Sequence, residues 1–421
     1  MNRIKTFFIR QCKEIVSGDT SKVFNKFVKL FYYPPLILIA LPIVIVIRII
    51  APIKLIRFGF IRSDVIGASI VTTEYYLSYL DIHNLKPLDF FYFDSPAPNK
   101  QWEIMTKRIL RVNFFYRFID YCNKFIPGGK KHEVIMSKYS KGYQRDLTGI
   151  YKKTNPHYYF TEKENKIGEK FLKKIGVTNN KKIICFIVRD SAYKKKFQPH
   201  LNDKEFSYRN SNIDNYNLAA LTLAKKGYWV IRMGKAVEQP FSANHSRIFD
   251  YANSEYRSDF LDIWLNANCF FGLSNSCGLD EVIKTFRKPL IHVDCIPLGD
   301  IISGKDDLIV LPKYLRSKKN GSKLSIRDQI NIGVMRFTKT KELHEMSLDY
   351  IDNEPEEIKD ACLELEARLN GNWTESKENI YNQKKFWNII SEWKDFKKWH
   401  GDINPIISES FLLKNANWFL K

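Results

Sequence analysis

Short apolar runs alternate with longer amphipathic stretches along most of this chain. The runs "LIRFGF" and "LDFFYFD" flank a loop with Ser63, Asp64 and Gly67 and, after it, a stretch of helical periodicity. Further on, "KKIICFIV", "WVIRM", "RIF", "CFFGL" and "PLIHVD" are separated by amphipathic stretches such as "IDNYNLAALTLAKKG". Strands that alternate with helices of this length are typical of parallel sheets covered by helices. The pattern predicts an α/β protein built from doubly wound, Rossmann-like units.

The same pattern predicts four parts. Residues 1–57 are basic and then strongly apolar, residues 58–164 form a first Rossmann-like domain, and residues 165–330 form a second. Residues 331–421 are charged, carry scattered tryptophans and are predicted to be helices that pack back on the first domain. We therefore expect two Rossmann-like domains facing a cleft, with a membrane-associated helical segment at one end and closing helices at the other.

The apolar run from Leu36 to Ile47 predicts contact with a membrane. It is shorter than the ~20 residues of a spanning helix, and Pro42 within it removes a backbone donor. Basic residues lie on both sides, including Arg3, Lys5, Arg10, Lys13 and Lys22 before it and Arg48, Lys54 and Arg57 after it. This favours a bent, monotopic or re-entrant segment at the cytoplasmic face of a bacterial inner membrane. A single spanning helix and a buried core helix are the alternatives.

Charge and cysteine usage narrow the class of protein. The formal net charge of +21 at pH 7 suits anionic lipid, nucleotide phosphates or nucleic acid. No basic stripe with interleaved aromatic residues or known nucleic-acid module occurs, so we do not expect nucleic acid as a partner. The seven cysteines include no Cys-x-x-Cys pair, which indicates a reducing compartment. Scattered histidines and the lack of an Asp-x-Asp motif predict that no metal cofactor is bound.

Candidate site residues follow the predicted strands of the second domain. Ligands of open α/β sheets bind beyond the carboxyl ends of the strands. The residues at or near these ends, or in the loop "SYRN", are Arg189, Asp190, Tyr208, Arg209, Asn210, Arg232, Gly234, Tyr251, Ser274, Asn275, Ser276 and Gly278. Asp280 and Glu281 follow directly and would begin a helix or reach a ribose. Arginines beside a polar loop at a helix start predict a phosphate site, although neither Gly-x-Gly-x-x-Gly nor a Walker loop is present.

From about Phe58 to its end the chain resembles a family of bacterial glycosyltransferases with the two-domain GT-B architecture. The resemblance lies in "RFGFIRSDVIGASIVTTEYYL", "VRDSAY", "SYRNSNIDNYNLAALTLAKKGYWVIRMG" and "IFDYANSEYRSDFLDIWLNANCFFGLSNSCGLDEVIKTFRKPLI". A remoter similarity to fucosyltransferase-type donor domains runs through Arg189-Asp190 and the serine-rich loop. Where the family usually has Ile-Gly-His, this chain has Ile66-Gly67-Ala68, so no histidine base is predicted there.

The resemblance implies a nucleotide-sugar donor and a lipid-linked or cell-surface glycan acceptor, as in capsule or lipopolysaccharide biosynthesis. Residues 58–164 would bind the acceptor and residues 165–330 the donor. The base that deprotonates the acceptor hydroxyl is expected among Asp64, Glu74 and Asp94, with Asp190 as a donor-side candidate. Arginines would stabilise the leaving diphosphate in place of a metal. A phosphopolyol transferase and a non-catalytic, membrane-tethered nucleotide-binding protein remain alternatives.

Overall fold

The computed structural model describes residues 20–140, 145–178, 182–199, 202–305 and 307–421. The predicted basic flank at Arg3, Lys5, Arg10 and Lys13 lies outside these ranges. The strands are β1 (Ile56–Ile61), β2 (Leu88–Phe93), β3 (Ile183–Ile187), β4 (Trp229–Met233), β5 (Ile248–Phe249), β6 (Phe271–Ser274), β7 (Leu290–Cys295), β8 (Leu308–Pro312), β9 (Tyr314–Ser317), β10 (Leu348–Ile351) and β11 (Ile406–Ile407).

The α-helices fall between and after these strands. They are α1 (Thr20–Ile50), α2 (Ile66–Ile82), α3 (Lys100–Ile109), α4 (Tyr116–Phe125), α5 (Glu162–Lys174), α6 (Ala192–Phe197), α7 (Asn217–Lys225), α8 (Asp259–Ala267), α9 (Asp280–Thr285), α10 (Ile326–Asn331), α11 (Thr340–Glu345), α12 (Pro355–Leu369), α13 (Lys377–Ser391), α14 (Phe396–Trp399) and α15 (Glu409–Phe419). The predicted α/β class is confirmed.

A seven-stranded parallel sheet organises the larger part of the chain. Its strand order is β11-β8-β7-β6-β3-β4-β5, and every neighbouring pair is parallel. From β3 to β8 this is the strand order of a doubly wound nucleotide-binding fold. The chain adds β4 and β5 on one side of β3, and then adds β6, β7 and β8 on the other side. The switch point lies between β3 and β6, which are paired from Ile184–Phe271 to Ile187–Ser274.

The carboxyl-terminal helices belong to the core of this sheet. Buried side chains of α12, α13 and α15, such as Ile358, Phe386 and Phe411, join the same apolar cluster as β3, β4, β7 and β8. The sequence predicted that they pack on the first domain, and for these helices the structure shows otherwise. The segment after α14 does meet residues of the predicted first domain, because Gly401 packs against the Leu147 backbone. The strand β8, the antiparallel pair β9–β10 and the edge strand β11 were not predicted.

Helices α2 and α3 also pack with the large sheet's helices. Ile70 of α2 and Trp102 of α3 share a buried cluster with Ile263 of α8 and Val282 of α9. Trp102 additionally stacks on Tyr158, with ring centroids 3.8 Å apart. Two helices that precede the sheet by about a hundred residues are therefore part of its outer layer.

A smaller unit holds the amino-terminal helix. The chain divides into one compact unit made of residues up to Ile61, Lys86–Asp94 and Leu110–Ile135, and a second made of Arg62–Leu85, Ser95–Ile109 and Met136–Lys421. The small unit contains the parallel pair β1–β2, predicted from the sequence, together with α1 and α4. The predicted roles of residues 58–164 and 165–330 as acceptor and donor domains stay predictions.

The apolar segment of α1 is a continuous helix. Pro34, Pro35 and Pro42 lie inside it, so Pro42 does not end the helix, and the predicted bend there stays a prediction. A proline removes the hydrogen bond of its own nitrogen and crowds the preceding turn, whereas the bonds of the other residues remain. Within the described residues, Phe31–Ile50 is the stretch long and apolar enough to cross a membrane, with a mean hydropathy of 2.4.

Candidate functional site

A cavity of about 620 Å³ opens at the carboxyl ends of the strands on either side of the switch point. Arg189 and Asp190 follow β3, Gly234 and Lys235 follow β4, and Ser276 follows β6. The start of α2, from Val65 to Ala68, lines it as well. All of its lining residues belong to the larger unit. Doubly wound sheets bind ligands at this place because the two crossover connections leave the strand ends uncovered there.

Basic side chains outnumber acidic ones around the cavity. The basic residues are Arg62, Arg145, Arg189, Lys194, Arg209, Lys235 and Lys284, and the acidic residues are Asp190, Asp262, Asp280, Glu281 and Asp300. Several of the basic groups are already paired, as Arg145 is with Asp300 at 2.8 Å and Lys284 with Glu281 at 2.7 Å. The cations that contribute most to the positive electrostatic potential at the strand ends are therefore Arg189, Lys194 and Arg209.

These three residues, which we call the basic cluster, carry like charges close to one another. Burial and then the guanidinium of Arg209 lower the pKa of Arg189 to about 10. Burial and then the charge of Arg189 lower the pKa of Lys194 to about 8, with Arg209 adding to the shift. Like charges repel in a partly dry pocket. An anion bound among them would relieve this repulsion.

The guanidinium of Arg189 is only partly used by the protein. Its Nη1 donates to Phe206 O at 3.2 Å and to Asn210 Oδ1. Its Nη2 is buried and has no hydrogen-bond partner among the described residues. A buried donor without an acceptor is costly. A phosphate oxygen is the kind of acceptor that would satisfy it, because arginine binds phosphate with charge-assisted, often paired hydrogen bonds.

Asn275 holds the loops of the basic cluster in place. Its Oδ1 accepts from the backbone N–H of Arg189 at 2.7 Å, and its Nδ2 donates to Arg209 O and Ser211 Oγ, both at 3.0 Å. Arg209 in turn donates from Nη2 to Ser276 O at 2.5 Å. Three loops that are far apart in sequence are thus fixed around one side chain, which pre-organises the cluster.

The loop between β6 and α9 differs from the predicted phosphate cradle. Asp280 Oδ2 accepts from the Cys277 backbone N–H at 3.2 Å and from Ser274 Oγ at 2.8 Å. The helix that follows is short, ending at Thr285. The carboxylate of Asp280 therefore occupies the position at the helix start that an anion would take. We assign anion binding to the basic cluster instead.

Glu281 is the half-buried carboxylate of this loop region. It lines the cavity, and burial raises its pKa although Lys284 opposes the shift. Next to it, Asp280 lies 3.3 Å from His292 Nε2. Burial opposes ionisation of Asp280, but Lys284 and His292 together hold its pKa below the usual value. The two neighbouring carboxyl groups therefore differ: Asp280 is held ionised, while Glu281 takes up a proton more readily.

Two glycines bring α2 against this loop. A Cβ on Gly67 would lie 2.9 Å from Gly278 Cα, and a Cβ on Gly278 would lie 3.1 Å from Gly67 N. Gly67 stands in the sequence "IGA" near the start of α2. Close backbone contact at this point forms one wall of the cavity.

Most of the predicted donor residues meet at the cavity. Those that line it are Arg189, Asp190, Tyr208, Arg209, Gly234, Ser276, Gly278, Asp280 and Glu281. Asn210, Ser274 and Asn275 lie behind them and support them through the hydrogen bonds of Arg189, Asp280 and Arg209. Their roles toward a ligand stay predictions, but the structure brings them together as the sequence predicted.

Arg232 and Tyr251 do not reach the cavity lining. Arg232 is 1% exposed and donates from Nη1 to Gln239 O at 2.9 Å, with Asp250 at 3.5 Å. Tyr251 is fully buried, and its hydroxyl donates to Asp262 Oδ1 at 2.9 Å. The structure therefore assigns both to internal packing, in contrast to the sequence prediction.

The predicted catalytic carboxylates are scattered. Glu74 is fully buried and bound to Arg287 at 2.7 Å, and it is not among the cavity residues. Asp64 is exposed beside Arg62, whose hydrogen bond lowers its pKa. Asp94 lies in the smaller unit, at the end of β2. Of the four, Asp190 alone lines the cavity, and both of its oxygens accept backbone N–H groups, from Ala192 and Glu238.

Sequence reasoning missed Arg145, Lys194, Lys235, His292 and Asp300, which all line the cavity. Lys194 stands in "SAYKKKF", and three consecutive lysines are typical of a solvent-exposed helix end. His292 sits inside an apolar strand, where a buried core residue is the default expectation. The proximity of Lys194 to "VRD" was the one signal that could have placed it at the site.

Comparison with known proteins gives distant similarity. No protein-family model matches the chain, and no curated protein matches its sequence. Its structure is similar to E. coli ADP-heptose lipopolysaccharide heptosyltransferase II, with 12% identity over 61% of this chain and 90% of that one and a TM-score of 0.36. A family 9 glycosyltransferase from Veillonella parvula has 12% identity over 74% and 97%, with a TM-score of 0.41.

A UDP-N-acetylglucosamine 2-epimerase is similar at 9% identity over 77% of this chain and 98% of that one, with a TM-score of 0.28. Similarity at these values supports no argument about activity. The similarity to fucosyltransferase donor domains stays a prediction.

Proposed function

We propose that this protein is a glycosyltransferase of GT-B type that transfers a sugar from a nucleotide-sugar donor to a lipid-linked or cell-surface glycan, in polysaccharide biosynthesis at the cytoplasmic face of the membrane. The observation that carries the proposal is the basic cluster at the switch point, with its lowered pKa values and the unpartnered Nη2 of Arg189. A diphosphate linked to a nucleoside is the ligand that such a fold and such a charge would bind.

The basic cluster would act on the leaving group. As the bond from the sugar to the diphosphate breaks, negative charge grows on the diphosphate oxygens, and fixed cations stabilise that charge more in the transition state than in the ground state. Arg189 and Arg209 are positioned for this by Asn275 and by the Ser276 carbonyl. In this proposal the protein's own cations do the work that a divalent metal does in other transferases.

Glu281 is the carboxylate we assign as general base. It lines the cavity and burial raises its pKa, and a base with a pKa closer to neutrality accepts a proton more effectively. Burial also raises the pKa of Asp262 in the lining, but that carboxylate is bound by Arg257 at 2.5 Å and by the Tyr251 hydroxyl. The base would take the proton of the acceptor hydroxyl as that oxygen attacks the anomeric carbon. Glu281→Gln should lower kcat about 10²–10⁴-fold, the usual contribution of such a group, and leave nucleoside diphosphate affinity within about threefold.

Calorimetric titration with nucleoside diphosphates tests the donor site. Arg209→Ala and Lys194→Ala should each weaken diphosphate binding about 10- to 100-fold, since a charge-assisted hydrogen bond is worth about 1.5–3 kcal/mol. Arg327→Ala is the matched control, because Arg327 is exposed and pairs with the exposed Glu392. A nucleoside without phosphates should bind all variants alike.

EDTA provides a further arm of the same experiment. Binding and turnover should persist after chelation, and their loss with recovery on adding Mg²⁺ or Mn²⁺ would contradict the metal-free part of the proposal. Unchanged diphosphate affinity in both Arg209→Ala and Lys194→Ala would contradict the donor site itself.

A further inference from the structure

One side of α1 is covered by protein and the rest is open. Tyr33, Leu36, Ala40, Val44 and Ile47 recur at intervals of three or four residues and pack in a cluster with Phe118, Ile119 and Cys122 of α4. Such spacing places side chains on one stripe of a helix. Most of the large apolar residues off this stripe are exposed, and these are Phe31, Tyr32, Ile37, Leu38, Ile39, Leu41, Ile45, Val46 and Ile49.

Helix α4 lies alongside α1 over most of the apolar segment. The rings of Tyr33 and Phe118 meet edge to face with centroids 5.0 Å apart, and Cys122 Sγ lies 3.8 Å from Ile37 O. Farther along, Arg48 Nη2 donates to the carbonyl oxygens of Asn123 and Ile126 at 3.2 and 3.3 Å. These contacts follow the same order along both helices, so α1 and α4 run in the same direction where they pack.

Helix α4 is polar on one side. Asp120 is buried, accepts from Tyr92 at 2.8 Å and pairs with Lys124 at 2.6 Å. A helix that crosses the bilayer with α1 would carry these charges into the hydrocarbon core, which is costly. If α1 lies flat instead, its open apolar side enters the lipid while α4 stays at the headgroups.

The exposed residues of α4 and its following turn fit such a position. Tyr121 and Phe125 are 57% and 82% exposed, and Lys124, Lys130 and Lys131 are exposed near them. Aromatic side chains favour the interface between water and lipid, and lysines there are attracted by anionic headgroups. Helix α4 therefore presents aromatic and cationic groups of the kind that an anionic bilayer binds, beside the apolar helix α1.

We infer that α1 and α4 form one membrane-binding layer, the α1–α4 layer, that lies in the plane of an anionic phospholipid bilayer and enters one leaflet. The inference rests on the membrane association included in the proposed function and specifies its geometry. It makes α4 a second lipid-contacting element, beyond the apolar segment itself.

Depth measurement tests the orientation. Phe31 and Ile49 are both exposed, and their separation along the helix is about 27 Å at 1.5 Å per residue, close to the thickness of the hydrocarbon core. Each is replaced by cysteine, in full-length protein with Cys12→Ser and Cys277→Ser, and labelled with an environment-sensitive fluorophore. Quenching by lipids brominated at different depths in phosphatidylglycerol-containing vesicles should place both labels at similar depth in one leaflet.

Labels in opposite leaflets would overturn the α1–α4 layer in favour of a spanning helix. Labels that are never quenched would overturn the layer and membrane association together. Neither result affects the donor site, which is measured by nucleotide titration without vesicles.

Vesicle binding tests the part played by α4. Tyr121→Ser with Phe125→Ser should weaken binding to the same vesicles at least tenfold, since both side chains are exposed and their loss leaves the α1–α4 packing intact. Ile380→Ser with Tyr381→Ser, a matched pair exposed on α13, should change it less than twofold. Equal binding by the α4 pair and the parent would overturn the layer.

Discussion

Arg189 and Arg232 both stand near the carboxyl end of an apolar run in the sequence. The side chain of Arg189 nevertheless lines the cavity, whereas that of Arg232 is buried in internal packing. Arg189 lies two residues beyond β3, where the chain has left the sheet. Arg232 is still within β4, paired with Phe186 of β3. Side chains of a strand alternate between the two faces of the sheet. Arg232 is therefore held inside the packing between sheet and loop, with Asp250 and Gln239 O as its partners.

Loss of Arg232 should affect stability rather than ligand binding. Arg232→Ala removes one partner of a buried ion pair and is expected to lower the free energy of unfolding by about 3–5 kcal/mol. Chemical denaturation measures this, with Arg327→Ala as an exposed control expected to cost less than about 1 kcal/mol. The folded fraction should bind nucleoside diphosphate as tightly as the parent. A large loss of affinity with unchanged stability would return Arg232 to the donor site.

Lys194 should make ligand binding depend on pH. Its pKa in the folded protein is lowered to about 8 by burial and by Arg189, against a usual value of 10.5. Because the unfolded state binds this proton more tightly, Lys194 lowers the free energy of unfolding below pH 8. This loss of stability diminishes as the pH rises from about 8 to about 10.5. A bound diphosphate favours the charged lysine. Affinity should therefore fall from pH 7 to pH 9, a range in which the phosphate charge changes little.

The matched variant is Lys194→Gln, in which this fall in affinity should be largely absent. Titration calorimetry at pH 7, 8 and 9 on both proteins makes the comparison. The same fall in both proteins would show that another group is responsible and that Lys194 does not contact the ligand.

The residue predictions succeeded where topology alone decides the position. The sequence placed Arg189, Arg209, Ser276 and Glu281 at one edge of the sheet, because parallel strands bring all their carboxyl ends together, and the structure gathers them there. It could not tell which way Arg232 or Tyr251 points. It also could not find Arg145, which reaches the cavity from a segment without a recognisable strand or helix pattern.

At the scale of elements, the hydrophobic pattern found β3, β4, β5, β6 and β7 of the sheet, because most residues of each are apolar. It missed β8, although every residue of β8 is buried, as in β3 and β4. The edge strand β11 has two residues and carries too little pattern to be recognised. Pro42 does not end the helix, since local propensity is outweighed when a helix has a partner along its length, as α1 has in α4.

The contact between α2 and the loop before α9 is an element-scale feature that can be tested. Gly67→Ala places a methyl group 2.9 Å from Gly278 Cα and 3.4 Å from Glu281 Cγ. Because the nearest atom is backbone, the two elements must separate, at a cost of about 1–3 kcal/mol. We expect lower stability and weaker diphosphate binding, measured by thermal unfolding and titration. Ile82→Ala, at the exposed end of the same helix and outside the cavity lining, is the control and should change both far less.

Whole-molecule organisation was the level least accessible from the sequence. The chain leaves the smaller unit at Ile61, returns to it for β2 and again for α4, and spends the intervening segments in the larger unit. A reading along the chain assigns neighbouring elements to one domain, because sequential elements usually pack together. Helices α2 and α3 break that expectation by joining the cluster of Ile263 and Val282.

This division predicts that membrane binding and nucleotide binding can be separated. Every residue lining the cavity belongs to the larger unit, whereas α1 belongs to the smaller one. Removal of Met1–Pro52 should abolish vesicle binding and leave the dissociation constant for nucleoside diphosphate within about threefold. It also uncovers Phe118 and Ile119, so the truncated protein is expected to be more prone to aggregation.

A variant that keeps α1 tests the same separation of membrane binding from nucleotide binding without uncovering Phe118 and Ile119. Leu38→Asp, Ile45→Asp and Ile49→Asp change only exposed positions of the helix, so the stripe that packs on α4 remains covered. Carboxylates on this side oppose insertion into hydrocarbon and are repelled by anionic headgroups. The triple variant should therefore be monomeric in solution without detergent, should no longer float with vesicles, and should bind nucleoside diphosphate like the parent. Loss of nucleotide binding in this variant, with its circular dichroism spectrum unchanged, would mean that the two functions share more of the chain than the division into units indicates.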